Sequence, residues 1–258
     1  MNANQSPVVL RGIRVAFGKR RVLESVDFEL QRGSVTALVG DNAAGKSTLL
    51  RVLVGALVAD GGSASVLGLD PARDGVRIRA HVGYVADRME LPNWMRVRDW
   101  LQFCARFYPS WSDEERARLC ALLELEEHAK VRELSKGNRA KLGLVAALAH
   151  RPQLLLLDEA FSGLDAKTRH RLSKAVLDHL RDENRSVLLV SHSTADIERL
   201  CDRVAVLEGG RIVREDDIEA VALASRGGLD LDAALRRESA DEPVDEHAVE
   251  DADVEALA

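Results

Sequence analysis

The chain is poor in cysteine, and its three cysteines, Cys104, Cys120 and Cys201, are scattered. An odd number at these separations fits neither a zinc site nor a redox pair, and it excludes a disulfide-stapled scaffold; free thiols in a reducing cytosol are expected. Long apolar runs are also missing: none approaches the roughly 20 residues that cross a bilayer. The opening stretch, MNANQSPVV, has no basic segment followed by an apolar one, so no secretory signal is expected. There is no basic stripe, no long coiled-coil pattern and no internal repeat, so nucleic acid is not an expected partner. Aromatics are only 4% of the chain.

What remains is a chain of 258 residues with 46% hydrophobic and 30% charged residues. That suits one large domain, or a domain with a subdomain, around a sizeable core. The net charge of −6 conceals an asymmetry. Acidic residues crowd the segment 229–258, and the remainder is mildly basic. We expect a domain over 1–217 and an acidic tail over 218–258 that is largely disordered and serves solubility.

Along the chain, 8–17 and 22–31 have strand-like alternation, and 34–40 is a buried strand ending in glycine. The spacing predicts a helix over 45–57 that ends near Gly61-Gly62, and a strand over 81–87. From Val97 to about His150 the pattern is helical, with SDEE giving a start rich in negative charge. LLLLDE (154–159) and SVLLVSH (186–192) are continuous apolar runs, the mark of parallel strands covered on both faces. A helix over 166–183 joins them, and 204–213 reads as a hairpin turning at Gly209-Gly210. The result is an α/β fold: a mostly parallel sheet, an antiparallel edge near the N-terminus and a helical insertion over about 88–150.

GDNAAGKST (40–48) has the spacing G-x-x-x-x-G-K-[ST] between an expected strand and an expected helix, the context such a motif requires. Gly40, Asp41, Asn42, Ala43, Ala44 and Gly45 form a loop whose amides can face phosphate oxygens, aided by the helix N-terminus. Lys46 can reach the β- and γ-phosphates, the Ser47 hydroxyl can ligate Mg²⁺, and Thr48 is a further polar contact. Asp158 and Glu159 emerge at the carboxyl end of a buried strand, where ligands bind in open α/β sheets. Asp158 can hold Mg²⁺ through water, and Glu159 can polarise an attacking water as a general base. A capping or surface role is the alternative for this pair. His192, at the end of the next strand, can touch the γ-phosphate side. In LSKGN (134–138), Ser135 sits at a helix N-cap and Gly137 leaves backbone open. Either an ordinary capped helix or a second anion-binding helix start fits those residues.

GDNAAGKST, LSKGN, LLLLDEAFSGLD and SH, in that order and spacing, resemble the ATP-binding subunits of ABC transporters over roughly residues 8–217. The signature LS-K/R-G and the YPSW aromatics resemble the branch associated with ABC-2-type export. The resemblance implies a P-loop NTPase of the ABC type: a central mostly parallel sheet, an N-terminal antiparallel β subdomain and an inserted helical subdomain. It implies ATP and Mg²⁺ as cofactors and ATP hydrolysis coupled to transport. Two copies, as a homodimer, would pair head to tail, with ATP on the 40–48 loop of one covered by Ser135 and Gly137 of the other. Asp165 would lie at that interface, and Phe17 stands where an aromatic stacks on adenine, with core packing as its alternative. A separately encoded permease would hold the protein on the inner face of the cell membrane. A soluble ABC ATPase of cluster assembly, repair or translation is the runner-up.

Some positions depart from the family pattern. Asp87 replaces the usual Gln, and we expect it to contribute to the Mg²⁺ site. Ala43 replaces a usual Gly, Asn138 a usual Gln and DEAF the commoner DEPT. Six aromatics fall between residues 94 and 111. Trp100, Phe103 and Phe107, at i, i+3 and i+7, would share one helix face, which suits either core or an interface. The resemblance places permease docking between Asp87 and Trp111, with Trp94 and Met95 lining the groove.

Overall fold

A computed structural model describes residues 6–181 and 185–224. In chain order its elements are β1 (Val8–Phe17), β2 (Arg20–Leu30), β3 (Val35–Val39), α1 (Lys46–Leu53), β4 (Gly61–Val66), α2 (Pro71–Arg79) and β5 (Val82–Val85). The helical insertion follows as α3 (Val97–Ala105), α4 (Asp113–Leu123) and α5 (Lys136–Leu148). Then come β6 (Leu154–Asp158), α6 (Ala166–His179), β7 (Ser186–Val190), α7 (Thr194–Leu200), β8 (Arg203–Glu208), β9 (Arg211–Asp217) and α8 (Ile218–Ala224).

Every residue of β3, β6 and β7 is buried. These strands form the middle of a six-stranded sheet ordered β5-β6-β7-β3-β8-β9, parallel except for β9. Alternate residues feed two cores, because successive side chains of a strand point to opposite faces. Leu38, Leu154, Leu156 and Leu188 pack with Leu49, Leu50 and Leu53 of α1 and with the N-terminal strands. Ala37, Leu155, Leu157 and Leu189 pack with Leu142, Leu144 and Val145 of α5 and with Leu172 and Val176 of α6. Helices α1 and α5 therefore cover opposite faces of one sheet.

Several expectations need correction. The N-terminal antiparallel strands are not an edge of the central sheet; they form a separate sheet ordered β2-β1-β4. Its third strand, GGSASV, has small residues of low strand propensity and was not expected; pairing with β1 makes it a strand. Helix α2 was also unforeseen. Helix α1 stops at Leu53, not 57, and the amides of Ala56 and Leu57 fold back onto the Arg51 carbonyl. The tail expected from 218 begins instead with α8, whose Ile218 and Val221 are buried. The rest of the expected disordered tail, 225–258, lies outside the described residues. The three-aromatic face fails because α3 ends at Ala105: Trp100 packs toward the core, while Phe103 and Phe107 are exposed and meet edge to face at 5.1 Å.

Candidate active site

The carboxyl ends of β3, β6 and β7 carry the loop 40–45, the Asp158–Glu159 pair and His192. Gly40 leaves β3 at φ 146°, and a Cβ there would lie 2.1 Å from the Leu207 carbonyl oxygen of β8. Only glycine lets the loop start that close to the neighbouring strand. The Ala44 amide donates to the Asp41 carbonyl, which closes the turn around Asn42 and Ala43. Ala43 itself has φ 66°. Lys46 opens α1, is buried, and donates from Nζ to the carbonyls of Gly40 (2.5 Å) and Asp41 (2.9 Å). A phosphate in the loop would offer this ammonium an anionic acceptor in place of neutral ones. Thr48 lies in the first turn of α1.

Ser47 Oγ donates to Asp158 Oδ1 at 3.1 Å. Asp158 is buried, and burial together with the charge of Asp87 raises its pKa, with Ser47 and Lys46 opposing. Glu159 follows at φ 51°, a left-handed conformation unusual for a side chain of its size, and its amide donates to the Val190 carbonyl of β7 at 3.0 Å. That turn swings the carboxylate toward β7, where its Oε1 lies 3.2 Å from His192 Nε2. The same oxygen is buried and makes no well-formed hydrogen bond. Burial pushes the Glu159 pKa up to about 7; Lys46 opposes this, while Asp158, Asp87 and Asp196 add to it. The cluster is thus short of positive charge beside two hard oxygen donors, Ser47 Oγ and Asp158, which is chemistry that fits Mg²⁺. Asp87 is half exposed and 4.0 Å from Arg88, and it reaches the cluster through its charge. Among the described residues, no group of three or more His, Cys, Asp or Glu forms a metal cluster.

The other expected residues lie elsewhere. Ser135 caps α5 by accepting from the Asn138 amide at 3.2 Å. Asp165 caps α6 by accepting from the Thr168 amide at 2.9 Å. These two starts are neighbours: the position of a Gly137 Cβ is 3.5 Å from Thr168 and 3.8 Å from Leu164, and Lys136 Nζ lies over Gly163. Both belong to the face opposite α1. Phe17 ends β1 with its ring half exposed. Two groups escaped the sequence reading. Tyr84 of β5 stands beside Asp158 and Arg51, and burial with the Asp158 charge pushes its hydroxyl up to about 12. Arg169 pairs with the buried Asp196 at 3.6 Å. Only spacing hinted at the second group, Arg169 and Asp196, which lie four residues beyond Asp165 and His192; nothing in the sequence marked Tyr84.

Residues 23–162 match the family model described as ABC transporter. The chain belongs to that family. It carries the family's ATP-binding, ATPase domain on the expected fold. The chain is 35% identical over 221 residues to the Nod factor export ATP-binding protein I of Neorhizobium galegae, an alignment covering 83% of this chain and 63% of that protein. It is 31% identical over 234 residues to the daunorubicin resistance ATP-binding protein DrrA3 of Streptomyces coeruleorubidus, covering 89% and 73%. The solved structure of an ATP-binding subunit of an ABC transporter superposes with a TM-score of 0.79 at 26% identity, covering 89% of this chain and 98% of that one. Among the described residues, no helix is long and apolar enough to cross a membrane.

Proposed function

We propose that the protein is the ATP-hydrolysing subunit of an export-type ABC transporter, in which two copies pair head to tail around two Mg-ATP and drive a separately encoded permease. The observation that carries this reading is the placement of two helix starts. The loop at α1, with Lys46, and the LSKGN start of α5 lie on opposite faces of one sheet. One copy therefore cannot close both around a single nucleotide, whereas two copies facing each other can. The names of the curated relatives, Nod factor export and daunorubicin resistance, support export.

In this reading the amides of 40–48 and Lys46 hold the phosphates, and Phe17 stacks on adenine. Ser47 and Asp158 would hold Mg²⁺, with Asp87 nearby; the metal supplies neutralising charge on the phosphates. Glu159 takes a proton from the attacking water at its carboxylate, and its left-handed turn aims that carboxylate along β7. His192 steadies Glu159 and faces the γ-phosphate. Ser135, Gly137 and Asp165 of the second copy close the site and exclude water, which strengthens every charge interaction inside. Trp94 is 79% exposed and Phe107 is 62% exposed, large apolar surface on a small insertion. With Phe103 they form the surface that grips the permease and holds the protein at the inner face of the membrane.

The test has two arms. Purified protein should hydrolyse ATP only with Mg²⁺, and Glu159→Gln should abolish turnover while keeping ATP binding. The neighbouring membrane-spanning protein, co-expressed, should co-purify with the wild type and be lost with Trp94→Ala/Phe107→Ala. An active ATPase with which the neighbouring membrane-spanning protein does not co-purify would replace transport with a soluble ABC ATPase.

A further inference from the structure

Asp196, in the first turn of α7, has 2% of its surface exposed. A carboxylate that deep needs a cation, because its hydration is lost. The cation is Arg169 of α6, whose Nε lies 3.6 Å from Asp196 Oδ1 and is itself buried without a hydrogen bond. The two residues stand at the ends of two short, tightly tied segments. On one side, the Ser193 amide donates to Ser191 Oγ (3.1 Å) and the Asp196 amide to Ser193 Oγ (3.4 Å), so the turn holding His192 is rigidly joined to Asp196. On the other, the Arg169 amide donates to the Asp165 carbonyl at 2.9 Å, and the preceding Thr168 packs on Gly137.

We propose that Arg169 and Asp196 are a positioning pair that sets His192 against Glu159 and ties that placement to the loop carrying Asp165. Neither side chain need touch nucleotide. The pair fixes how α7 is seated on α6, and the His192 turn follows α7. Asp196 also lies close enough for its charge to reach Glu159. A second link joins the same helices at the surface, Arg199 Nη2 to His170 Nδ1 at 2.6 Å; the charge of Arg199 also acts on Asp196, so His170 is the control for mere helix docking. The proposal rests on the ATPase reading above.

The experiment measures kcat and KM for Mg-ATP, ATP binding and Tm in the full chain. Arg169→Gln and Asp196→Asn should each lower kcat by about 10- to 100-fold, the loss expected when a group is displaced by about an ångström. KM should stay within about twofold, since the ground-state complex is untouched. Arg169→Lys should recover most of the rate. The double variant should lose no more than the worse single, the signature of residues acting as a unit. His170→Leu, which breaks the surface link and leaves the Arg199 charge in place, should keep wild-type kcat. Equal losses in His170→Leu, additive losses in the double variant, a lysine variant no better than glutamine, or unchanged kcat would each overturn the pair. Should Asp196→Asn fail to fold, the Arg169 series at the partly exposed partner decides by itself: kcat must fall in the order Arg, Lys, Gln at constant KM. A wild type without Mg-dependent ATPase activity would overturn the site reading and the pair with it; an active wild type with indifferent variants would overturn the pair alone.

Discussion

Glu159 has two properties that its position in the sequence suggests and its surroundings create. It follows Asp158 off a buried strand, and burial with Asp158 and Asp87 nearby lifts its pKa to about 7. A base must be ionised to act, so turnover should rise with pH through about 7, and Glu159→Gln should lose about 10²- to 10⁴-fold in kcat. The stability effect runs the other way. The fold favours the protonated acid, so its contribution is full below the ordinary value of 4.5 and is lost as pH rises through about 7. Glu159→Gln should therefore raise Tm more at pH 8 than at pH 5; an equal change at both would contradict the raised pKa. Ala43 offers a second test at this scale. Its φ of 66° costs a residue with a Cβ roughly 1–2 kcal/mol, so Ala43→Gly should raise Tm while ATP binding persists. The departure from glycine was legible in the sequence, but its strain was not, because backbone angles follow from how the loop is pinned between β3 and α1.

Among elements, α5 separates what the fold needs from what the site needs. A methyl group on Gly137 would meet Thr168 and Leu164 at ordinary contact distances, so the chain itself leaves room for alanine. Glycine in a helix costs roughly 0.5–1 kcal/mol relative to alanine. Gly137→Ala should thus raise Tm slightly, measured by calorimetry; if LSKGN closes the second copy's site as proposed above, the same change should weaken ATP-driven pairing and turnover. A variant that gains stability and keeps full activity would assign α5 to ordinary capping. The buried runs of β3, β6 and β7 could be read directly, since parallel strands covered on both faces need unbroken apolar sequence. Strand β4 could not: GGSASV has no such signal, and its pairing with β1 is a long-range contact. The aromatic spacing misled for a related reason. Helical periodicity holds only while the helix lasts, and α3 ends before Phe107.

At the scale of the molecule, head-to-tail pairing predicts that Glu159→Gln, expected to bind ATP while hydrolysing it far more slowly, elutes as a dimer in Mg-ATP and as a monomer without nucleotide, by light scattering. A monomer at saturating Mg-ATP would reject the arrangement. The seam between the helical insertion and the sheet predicts acid sensitivity. His150 is buried, stacks on Tyr108 at 4.0 Å, and accepts at its carbonyl from Ser110 Oγ at 2.9 Å. Burial lowers its pKa from 6.5 to about 4. The neutral ring is favoured by the fold, so this stability is full above 6.5 and is lost as pH falls toward 4. His150→Phe should flatten the fall in Tm between pH 6.5 and 4; an unchanged slope would place the acid sensitivity elsewhere.

The sequence by itself determined which residues the candidate phosphate site offers and which strands are covered on both faces, because both rest on local facts: glycines where the backbone must turn, a lysine and a serine at a helix start, carboxylates at the end of a buried apolar run. Only the tertiary structure decided which groups meet. It set Glu159 beside His192, brought the LSKGN start against the loop carrying Asp165, and placed both across the sheet from Lys46. Those neighbours come from strands and helices far apart in the chain, and their juxtaposition follows from how the two faces of one sheet are covered.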